Sequence, residues 1–400
     1  MNILIAVCVL LLLAYIFDLT SSFTKIPSVI LLLAAGWLVK QACTVLEIRF
    51  PDLNPLLPVL GTVGLIMIVL EGALELEVDR TKFPMIKKSI VVAFLPMLLL
   101  AALLGYFFQY VGGYTLKDSI TYAMPFCVIS SAIAIPSVKA MHSRVREFVV
   151  FETSLSDILG VLLFNFVALN AVITTDSILE FVIEIVVITV LSFIATIGLS
   201  LLLTKVDHHI KYSPIIIIII LFYGVSKIYH LPGLVFILIF GLLLGNIRKL
   251  TKFKFLRKIN YKAIEVEVKK LHELSIEAAF LIRALFFLLF GFLMHSSEIL
   301  NIETIPYAVG IVAAIIIIRC IQLMIYKIPL MPILFIAPRG LITILLFVAI
   351  IPEPMGDIVS KSLVIQVILL SVTVMMIGVM FTPDHLLAKS EQAQDALREK

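Results

Sequence analysis

Apolar stretches of membrane-spanning length recur along the whole chain, and this feature most limits what the chain can fold into. Each stretch, at about 17–25 residues, can cross a ~30 Å hydrocarbon core as a helix, and the short alternating strands of a membrane barrel are not seen. Of the 400 residues, 62% are hydrophobic and 14% are charged, whereas soluble domains carry about 25% charged residues. The sequence therefore predicts an all-α polytopic membrane protein without a sizeable soluble domain.

The apolar pattern predicts about 13 transmembrane helices. The predicted ranges are 2–19, 26–42, 56–74, 86–110, 119–141, 148–173, 177–204, 213–229, 231–247, 274–296, 304–326, 331–351 and 360–382. Each loop takes the number of the predicted helix before it. Lysine and arginine concentrate in the odd-numbered loops and the C-terminal tail, whereas the even-numbered loops hold only Lys40, Arg49, Lys117, Lys227 and Lys361. Because positive charge is enriched in cytoplasmic loops, we expect a cell (inner) membrane protein with its N-terminus outside and its C-terminus in the cytoplasm.

The transmembrane domain is expected to cover residues 1–382. Residues 248–272 form a basic segment, predicted as a cytoplasmic linker, with an interfacial helix on the inner leaflet as the alternative. Residues 383–400 are expected to form a short cytoplasmic tail. The first apolar run lacks a basic region before it and a cleavage site after it, which indicates a first span rather than a signal peptide. The net charge of +4 is modest, so no nucleic-acid partner is expected.

Predicted helices five and twelve are each interrupted by two prolines. These are Pro125, Pro136, Pro332 and Pro338. Proline removes a backbone donor and clashes with the preceding turn, so both helices are expected to bend or unwind. If helices 1–6 and 8–13 form two repeats joined by helix 7, the repeats are inverted and the two interrupted helices are equivalent. Such a pair points to the binding site of a transporter, with ordinary proline kinks as the alternative.

Predicted helix six carries a carboxylate, Asp157, within an otherwise apolar span. A charge near the bilayer centre costs at least about 2.5–3.5 kcal/mol and usually serves a function. Thr153 lies one helical turn before Asp157, and Ser156 adjoins it. Carboxylate and hydroxyl oxygens suit a partly dehydrated alkali cation, and a carboxylate also binds a proton, so one site could serve exchange. A structural pairing of Asp157 with a buried arginine is the alternative.

A second carboxylate, Glu152, points elsewhere around the same helix. It is expected to pair with a buried arginine, since an unpaired buried charge is costly. Arg339, beside the break in helix twelve, and Arg319, late in helix eleven, are the candidates. Arg283 has no clear task beyond snorkelling near a helix end.

Five segments of the sequence resemble the monovalent cation:proton antiporter superfamily, the sodium/proton exchangers. ETSLSD, which begins at Glu152, resembles the helix-six motif E-S-L-L-N-D, and VLEGALEL, from Val69, resembles the end of helix three. SSAIA, from Ser130, resembles the unwound helix, and PRGLI, from Pro338, resembles its crossing partner. FFLLFG, from Phe286, resembles a further helix motif. They follow the order of the family, and the resemblance covers essentially the whole chain.

The resemblance implies an elevator-type antiporter fold with crossed discontinuous helices and two inverted six-helix repeats. It implies a homodimer in which a core of helices 4–6 and 11–13 moves against a static dimer part of helices 1–3 and 8–10. It also implies which side chains bind the cation and the proton: Asp157, Thr153, Ser156, Ser130 and Ser131. Asp157 and Thr153 would be the chief ligands of the alkali cation. Glu152 would pair with Arg339, and Arg319 would match the basic residue of helix eleven.

The sequence departs from the family at two places, and both bear on the expected function. Ser156 stands where the family usually has Asn or Asp, and Ser130-Ser131 stands where many exchangers have Thr-Asp. With one exchangeable carboxylate, we expect electroneutral exchange of Na⁺ against protons, with Li⁺ or K⁺ as alternative cations and no cofactor. A cation channel or potassium-efflux system, or a proton-coupled carrier of another solute, remains the alternative. An enzyme is not expected, because HELSI at 272–276 lacks the second histidine of a zinc protease and no intramembrane protease motif occurs.

Overall fold

The protein is described here from a computed structural model. It describes residues 3–24, 26–47, 52–76, 83–138, 141–170, 174–205, 212–229, 231–250, 261–350 and 358–382. The predicted tail 383–400 and residues 251–260 of the predicted linker lie outside these ranges. The described residues form sixteen helices, numbered α1 to α16 in chain order: Ile3–Thr24, Ser28–Val45, Leu56–Glu75, Phe83–Gly112, Leu116–Cys127, Ser131–Ser137, Ser143–Leu169, Thr175–Lys205, Tyr212–Ile228, Gly233–Gly245, Ile247–Leu250, Tyr261–Leu293, Ser296–Ile299, Ile305–Ile325, Leu341–Ile350 and Lys361–Met380.

Most of these helices have membrane-spanning length and composition. In the described ranges, eight spans have at least 18 residues and the hydropathy of a transmembrane helix, counting α5 and α6 as one span, and four shorter helices are strongly apolar. Only 11% of the apolar span of α8 is buried within the chain, so most of its apolar side chains lie exposed at the surface of the chain. The chain is a multi-pass helical membrane protein, as the sequence predicts.

Two of the predicted helices are discontinuous. Predicted helix five is divided into α5 and α6, with residues 128–130 extended between them. Predicted helix twelve begins with the non-helical residues 331–340, and α15 starts at Leu341. Backbone that leaves the helix at membrane depth needs other hydrogen-bond partners, and those partners build the site described below.

The helix predicted at 274–296 begins much earlier, at Tyr261. Its first turns, YKAIEVEVKKLHE, mix charged and apolar residues and continue the helix beyond the apolar stretch. The predicted boundary depends on hydropathy and therefore falls where charged residues begin. The observed boundary depends on backbone hydrogen bonds, which continue through the charged residues. The sequence therefore located this span, and residues 261–272 of the predicted linker form a helix, as in its alternative, but one continuous with the span.

The chain divides into two compact units. The first comprises Met1–Gly61, Met85–Ala168 and Arg283–Lys400, and the second comprises Thr62–Pro84 and Leu169–Ile282. In the second unit, α10 packs against α8 and α9. Asn246 donates its side-chain amide to the carbonyl of Leu76 at 2.9 Å, which ties the end of α10 to the end of α3.

In the first unit, a close seam joins α2 to the end of α12. A Cβ at Gly36 would lie 2.2 Å from the carbonyl oxygen of Leu288, and a Cβ at Gly291 would lie 2.3 Å from that of Leu33. Two glycines facing the partner's backbone let two membrane helices approach closely.

The C-terminal end of α12 is held by two lysines. Lys40 of α2 donates to the carbonyl of Met294 at 3.0 Å. Lys361 of α16 donates to the carbonyl of Leu293 at 3.2 Å. Carbonyls at a helix C-terminus have no intrahelical partner, and positive charge is favourable there. The two lysines thus join α2, α12 and α16 at one end of the unit.

Candidate functional site

The extended residues between α5 and α6, residues 128–130, form the first unwound segment of the site. The backbone N–H of Ile129 donates to Ser156 Oγ of α7 at 3.0 Å. The next N–H, that of Ser130, donates to the carbonyl of Pro338 at 2.9 Å. The N–H groups of Ile129 and Ser130 are therefore satisfied by groups from other parts of the chain, which helps the backbone to open inside a membrane.

Residues 331–340 form the second unwound segment, and hydroxyl groups hold its end. Arg339 N donates to Ser371 Oγ of α16 at 3.0 Å, and Gly340 N contacts Thr343 Oγ1 at 3.3 Å. Pro338 has no N–H to satisfy. A Cβ at Gly340 would lie 2.4 Å from Ile133 Cδ1 and 3.0 Å from Ser130 Oγ. The second unwound segment thus contacts the first at Ser130, and this contact of Ser130 with Pro338 and Gly340 is the crossing of the two segments.

Asp157 lies on α7 beside this crossing and is 1% exposed. Its Oδ2 accepts hydrogen bonds from the backbone N–H of Ser131, at 3.3 Å, and from the Ser131 hydroxyl. Its Oδ1 has no hydrogen-bond partner among the described residues. A buried carboxylate oxygen without a partner is costly. Binding of a cation or a proton at Oδ1 would therefore be favourable.

Close packing fixes the approach of α7 to the first unwound segment. A Cβ at Gly160, one turn after Asp157, would lie 2.2 Å from Val128 Cγ2. The glycine lets α7 lie directly against the Val128 side chain of the extended segment. Asp157 therefore reaches the N-terminus of α6 at Ser131, although a helix this short contributes little dipole of its own.

Three further hydroxyls predicted for the site are buried around Asp157. Ser130, Thr153 and Ser156 are each at most 1% exposed. The Thr153 hydroxyl donates to the carbonyl of Val149 at 2.8 Å, so its oxygen lone pairs stay available. Ser130 Oγ has no partner in the described part of the chain, and Ser156 Oγ accepts from Ile129. The first unwound segment and the start of α6 thus connect Ser130, Ser131, Ser156 and Asp157, while Thr153 lies one turn before Asp157 on α7. Asp157 and Ser130 each carry an oxygen without a partner in the described residues.

Glu152 forms a buried ion pair with Arg319 of α14. Arg319 Nη1 lies 2.7 Å from Glu152 Oε1, and Nη2 lies 2.9 Å from Oε2. Arg319 Nε also donates to the carbonyl of Ile333 at 2.8 Å. This partner differs from the one that the resemblance implied, Arg339. The reason is geometric: both carboxylate oxygens are occupied by the planar fork of Arg319.

Arg339 is 2% exposed and bonds to carbonyl oxygens instead. Its Nε donates to the carbonyl of Phe126 at 2.5 Å, and its Nη1 donates to that of Ala337 at 3.1 Å. Phe126 lies in the last turn of α5, where carbonyls lose their intrahelical donors. Arg339 thus connects the second unwound segment to the helix end created by the first.

A cavity of about 20 Å³ adjoins the two arginines, with Ser156 and Gln322 also in its wall. Gln322 donates its amide to the carbonyl of Val92 at 2.6 Å, while its Oε1 has no partner within the described ranges. The rest of the cavity wall is largely apolar, and the guanidinium nitrogens of Arg319 already bond to Glu152 and Ile333.

Sequence reasoning missed three polar residues of the site: Thr343, Ser371 and Gln322. Each is a single uncharged residue in an apolar helix, and membrane helices contain many such residues. A hydroxyl three or four residues from an unwound segment, as Thr343 is, gives a local signal. Ser371 and Gln322 gave none, because their contacts are distant in sequence. No group of three or more His, Cys, Asp or Glu residues that could hold a metal ion occurs in the ranges that the structure describes.

Comparison with known proteins gives a family and a fold. A family model described as the transmembrane sodium/hydrogen exchanger matches residues 8–384. The solved structure of the sodium proton antiporter MjNhaP1 from Methanocaldococcus jannaschii at pH 8 is 17% identical, with a TM-score of 0.70 over 94% of this chain and 100% of that chain. A structure of the same antiporter from electron microscopy is also 17% identical, with a TM-score of 0.68 over 95% of each chain. Among the curated proteins, none matches the sequence.

Proposed function

Since the chain belongs to the sodium/hydrogen exchanger family, we propose that it is a secondary transporter that exchanges a monovalent cation for protons through Asp157. The family is one of transporters rather than enzymes, and the multi-pass helical fold agrees with that of MjNhaP1. Na⁺ is the proposed cation, with Li⁺ and K⁺ as the alternatives that the experiment below separates. No cofactor is required, because the cation and the proton are the cargo.

The observation that carries this proposal is the unpartnered oxygen of Asp157. Oδ1 is buried and has no hydrogen-bond partner in the described residues, and the Ser130 hydroxyl at the same crossing also has none. A dehydrated alkali cation would satisfy both oxygens, with Thr153 and Ser156 supplying further oxygen atoms. A proton on Oδ1 would instead remove the buried negative charge and turn this oxygen into a hydrogen-bond donor. Ser131 holds Oδ2 and orients the carboxylate for either cargo.

The charges around the crossing support an electroneutral cycle. Arg319 and Glu152 neutralise each other through two hydrogen bonds, so they are proposed as a structural pair outside the exchange. Arg339 donates to backbone carbonyls and keeps a positive charge beside the crossing. One carboxylate then binds either one cation or one proton, and each half of the cycle moves a single positive charge.

The proposal extends to how the site is presented to the two sides. The core of predicted helices 4–6 and 11–13 would move against helices 1–3 and 8–10 of a homodimer embedded in membrane lipid. The membrane is proposed to be the cell membrane, with the N-terminus outside and the C-terminus in the cytoplasm, on the evidence of the lysine and arginine distribution. Exchange in this orientation would serve pH homeostasis.

Vesicle transport tests the proposal. Purified protein is reconstituted with an imposed pH gradient, and Na⁺, Li⁺ and K⁺ are added in turn while an internal dye reports pH. We expect a cation-dependent collapse of the gradient that Asp157→Ala and Asp157→Asn abolish. Asp176→Ala, which removes an exposed carboxylate at the start of α8, is the matched control and should exchange normally.

Three results would contradict the proposal. Exchange that persists in Asp157→Asn would place the exchangeable group elsewhere. A cation current without proton movement, measured in a planar bilayer, would indicate a channel or an efflux system. No response of correctly folded protein to any of the three cations would indicate another solute. A rate that changes when a potassium ionophore clamps the membrane potential would contradict electroneutrality alone.

A further inference from the structure

Each unwound segment has one backbone N–H held by a serine on a helix that follows it in the sequence. In the first segment Ser156 of α7 holds Ile129 N, and in the second Ser371 of α16 holds Arg339 N. We propose that Ser371 is a positioning residue for the Asp157 site and acts across the crossing of the two segments. This inference rests on the proposed function.

The Ser371 hydroxyl is fully engaged in one orientation. Its Oγ accepts from Arg339 N at 3.0 Å and donates to the carbonyl of Ile368, on its own helix, also at 3.0 Å. The hydrogen bond to Ile368 fixes the rotation of the hydroxyl, and a lone pair of Ser371 Oγ then faces the backbone N–H of Arg339. The side chain is 4% exposed. Its removal would therefore leave a buried N–H without an acceptor, and the backbone at Arg339 would move to find one.

A short series of contacts leads from this backbone to the carboxylate. Pro338, next to Arg339, accepts the N–H of Ser130 at 2.9 Å. Ser131 follows directly and donates both its N–H and its hydroxyl to Asp157 Oδ2. A shift of Arg339 therefore moves the Ser130 hydroxyl and the two donors that orient Asp157. Ser371 acts on the site through these residues and touches neither the carboxylate nor the cargo.

The guanidinium group of Arg339 reinforces the same connection. Its Nε donates to the carbonyl of Phe126 in the last turn of α5, so the residue that Ser371 holds also fixes the start of the first segment. One hydroxyl thereby positions both ends of the residues from Phe126 to Ser131.

The predicted inverted repeats give this arrangement a simple interpretation. In that organisation α5 and α6 correspond to the second unwound segment with α15, and α7 corresponds to α16. Ser156 and Ser371 then have equivalent roles, because each accepts a backbone N–H of the unwound segment in its own repeat. Ser371 also differs from an ordinary hydroxyl of a membrane helix, such as Thr373, which donates only to the carbonyl of Leu369 four residues earlier.

The test compares the apparent KM for the cation in the vesicle assay. Ser371→Ala removes the acceptor, and Ser371→Cys keeps the size but offers only a weak acceptor. Ser371→Thr keeps the hydroxyl and serves as the rescue variant. Thr373→Val removes an exposed hydroxyl from the same helix and serves as the matched control. The pH dependence of the exchange rate is recorded for each variant.

We expect Ser371→Ala to raise the apparent KM about five- to tenfold and to displace the pH profile, with a smaller effect in Ser371→Cys. Ser371→Thr should restore both, and Thr373→Val should match the wild type. If Ser371→Ala does not fold, Ser371→Cys decides. An unchanged KM and pH profile in folded Ser371→Ala or Ser371→Cys, while the wild type exchanges normally, would overturn this inference and leave the proposed function intact. A wild type without cation-dependent exchange would overturn both.

Discussion

Removing Glu152 should destabilise the protein far more when Arg319 is present than when it is absent. The two side chains are 0% and 4% exposed and share two charge-assisted hydrogen bonds of 2.7 and 2.9 Å. A hydrogen bond to a charged group contributes about 1.5–3 kcal/mol, and leaving one charge of a buried pair alone costs roughly 3–5 kcal/mol. We therefore expect Glu152→Gln and Arg319→Gln each to lower the free energy of unfolding by about 3–5 kcal/mol.

The double variant identifies the partner. Once one side chain is gone, the second substitution removes an interaction already lost, so the two effects should not add, and their coupling energy should be about 2–3 kcal/mol. Unfolding in mixed micelles with increasing denaturing detergent, followed by circular dichroism, measures each value. The same cycle with Arg339→Gln is the comparison and should give a clearly smaller coupling. A coupling below about 0.5 kcal/mol between Glu152 and Arg319, or a larger one with Arg339, would refute the pairing.

Two further predictions concern the site and the helix seam. A proton and a cation compete for Asp157, so the apparent KM for the cation should rise up to about tenfold per unit fall in pH where the carboxylate is mostly protonated. The maximal rate at saturating cation should change little. Vesicle assays at several pH values measure both, and a KM independent of pH would argue against competition at one carboxylate. Gly291→Val should separate α2 from α12, because a Cβ there meets the Leu33 carbonyl oxygen at 2.3 Å, and the apparent melting temperature in detergent should fall sharply. Gly310→Ala, at a glycine with open space around it, is the control and should be neutral or slightly stabilising; equal losses in the two variants would contradict the seam.

The sequence predicted the helical membrane fold and singled out Asp157 as a buried carboxylate for physical reasons. Span length follows from bilayer thickness, and a carboxylate in an apolar helix is conspicuous because it is costly. Prolines marked both interrupted helices, although the first break lies between Pro125 and Pro136 at residues 128–130 rather than at either proline. Those residues open where outside partners, Ser156 and Pro338, accept their N–H groups, and local sequence does not contain that information.

The partner of Glu152 shows the same limit. Both Arg319 and Arg339 were reasonable candidates, since each is a buried cation near the second interruption. The choice depends on which guanidinium reaches both carboxylate oxygens, and this depends on how α14 packs beside α7. Ser371 lay outside the prediction altogether, because a serine in an apolar helix is common and its contact with Arg339 spans 32 residues.

The hydrogen bond from Arg339 to the carbonyl of Phe126 joins residues 213 positions apart, and this has a consequence for biosynthesis. At about 5–20 residues per second, the ribosome needs roughly 10–40 s to reach Arg339 after Phe126. During that interval the end of α5 and the residues after it are already made, while two of their partners, the Pro338 carbonyl and the Arg339 guanidinium, are still missing. The newly inserted first half must therefore keep its open backbone wet or shielded by the insertion machinery, and a chain truncated before α15 should be recognised by membrane quality control.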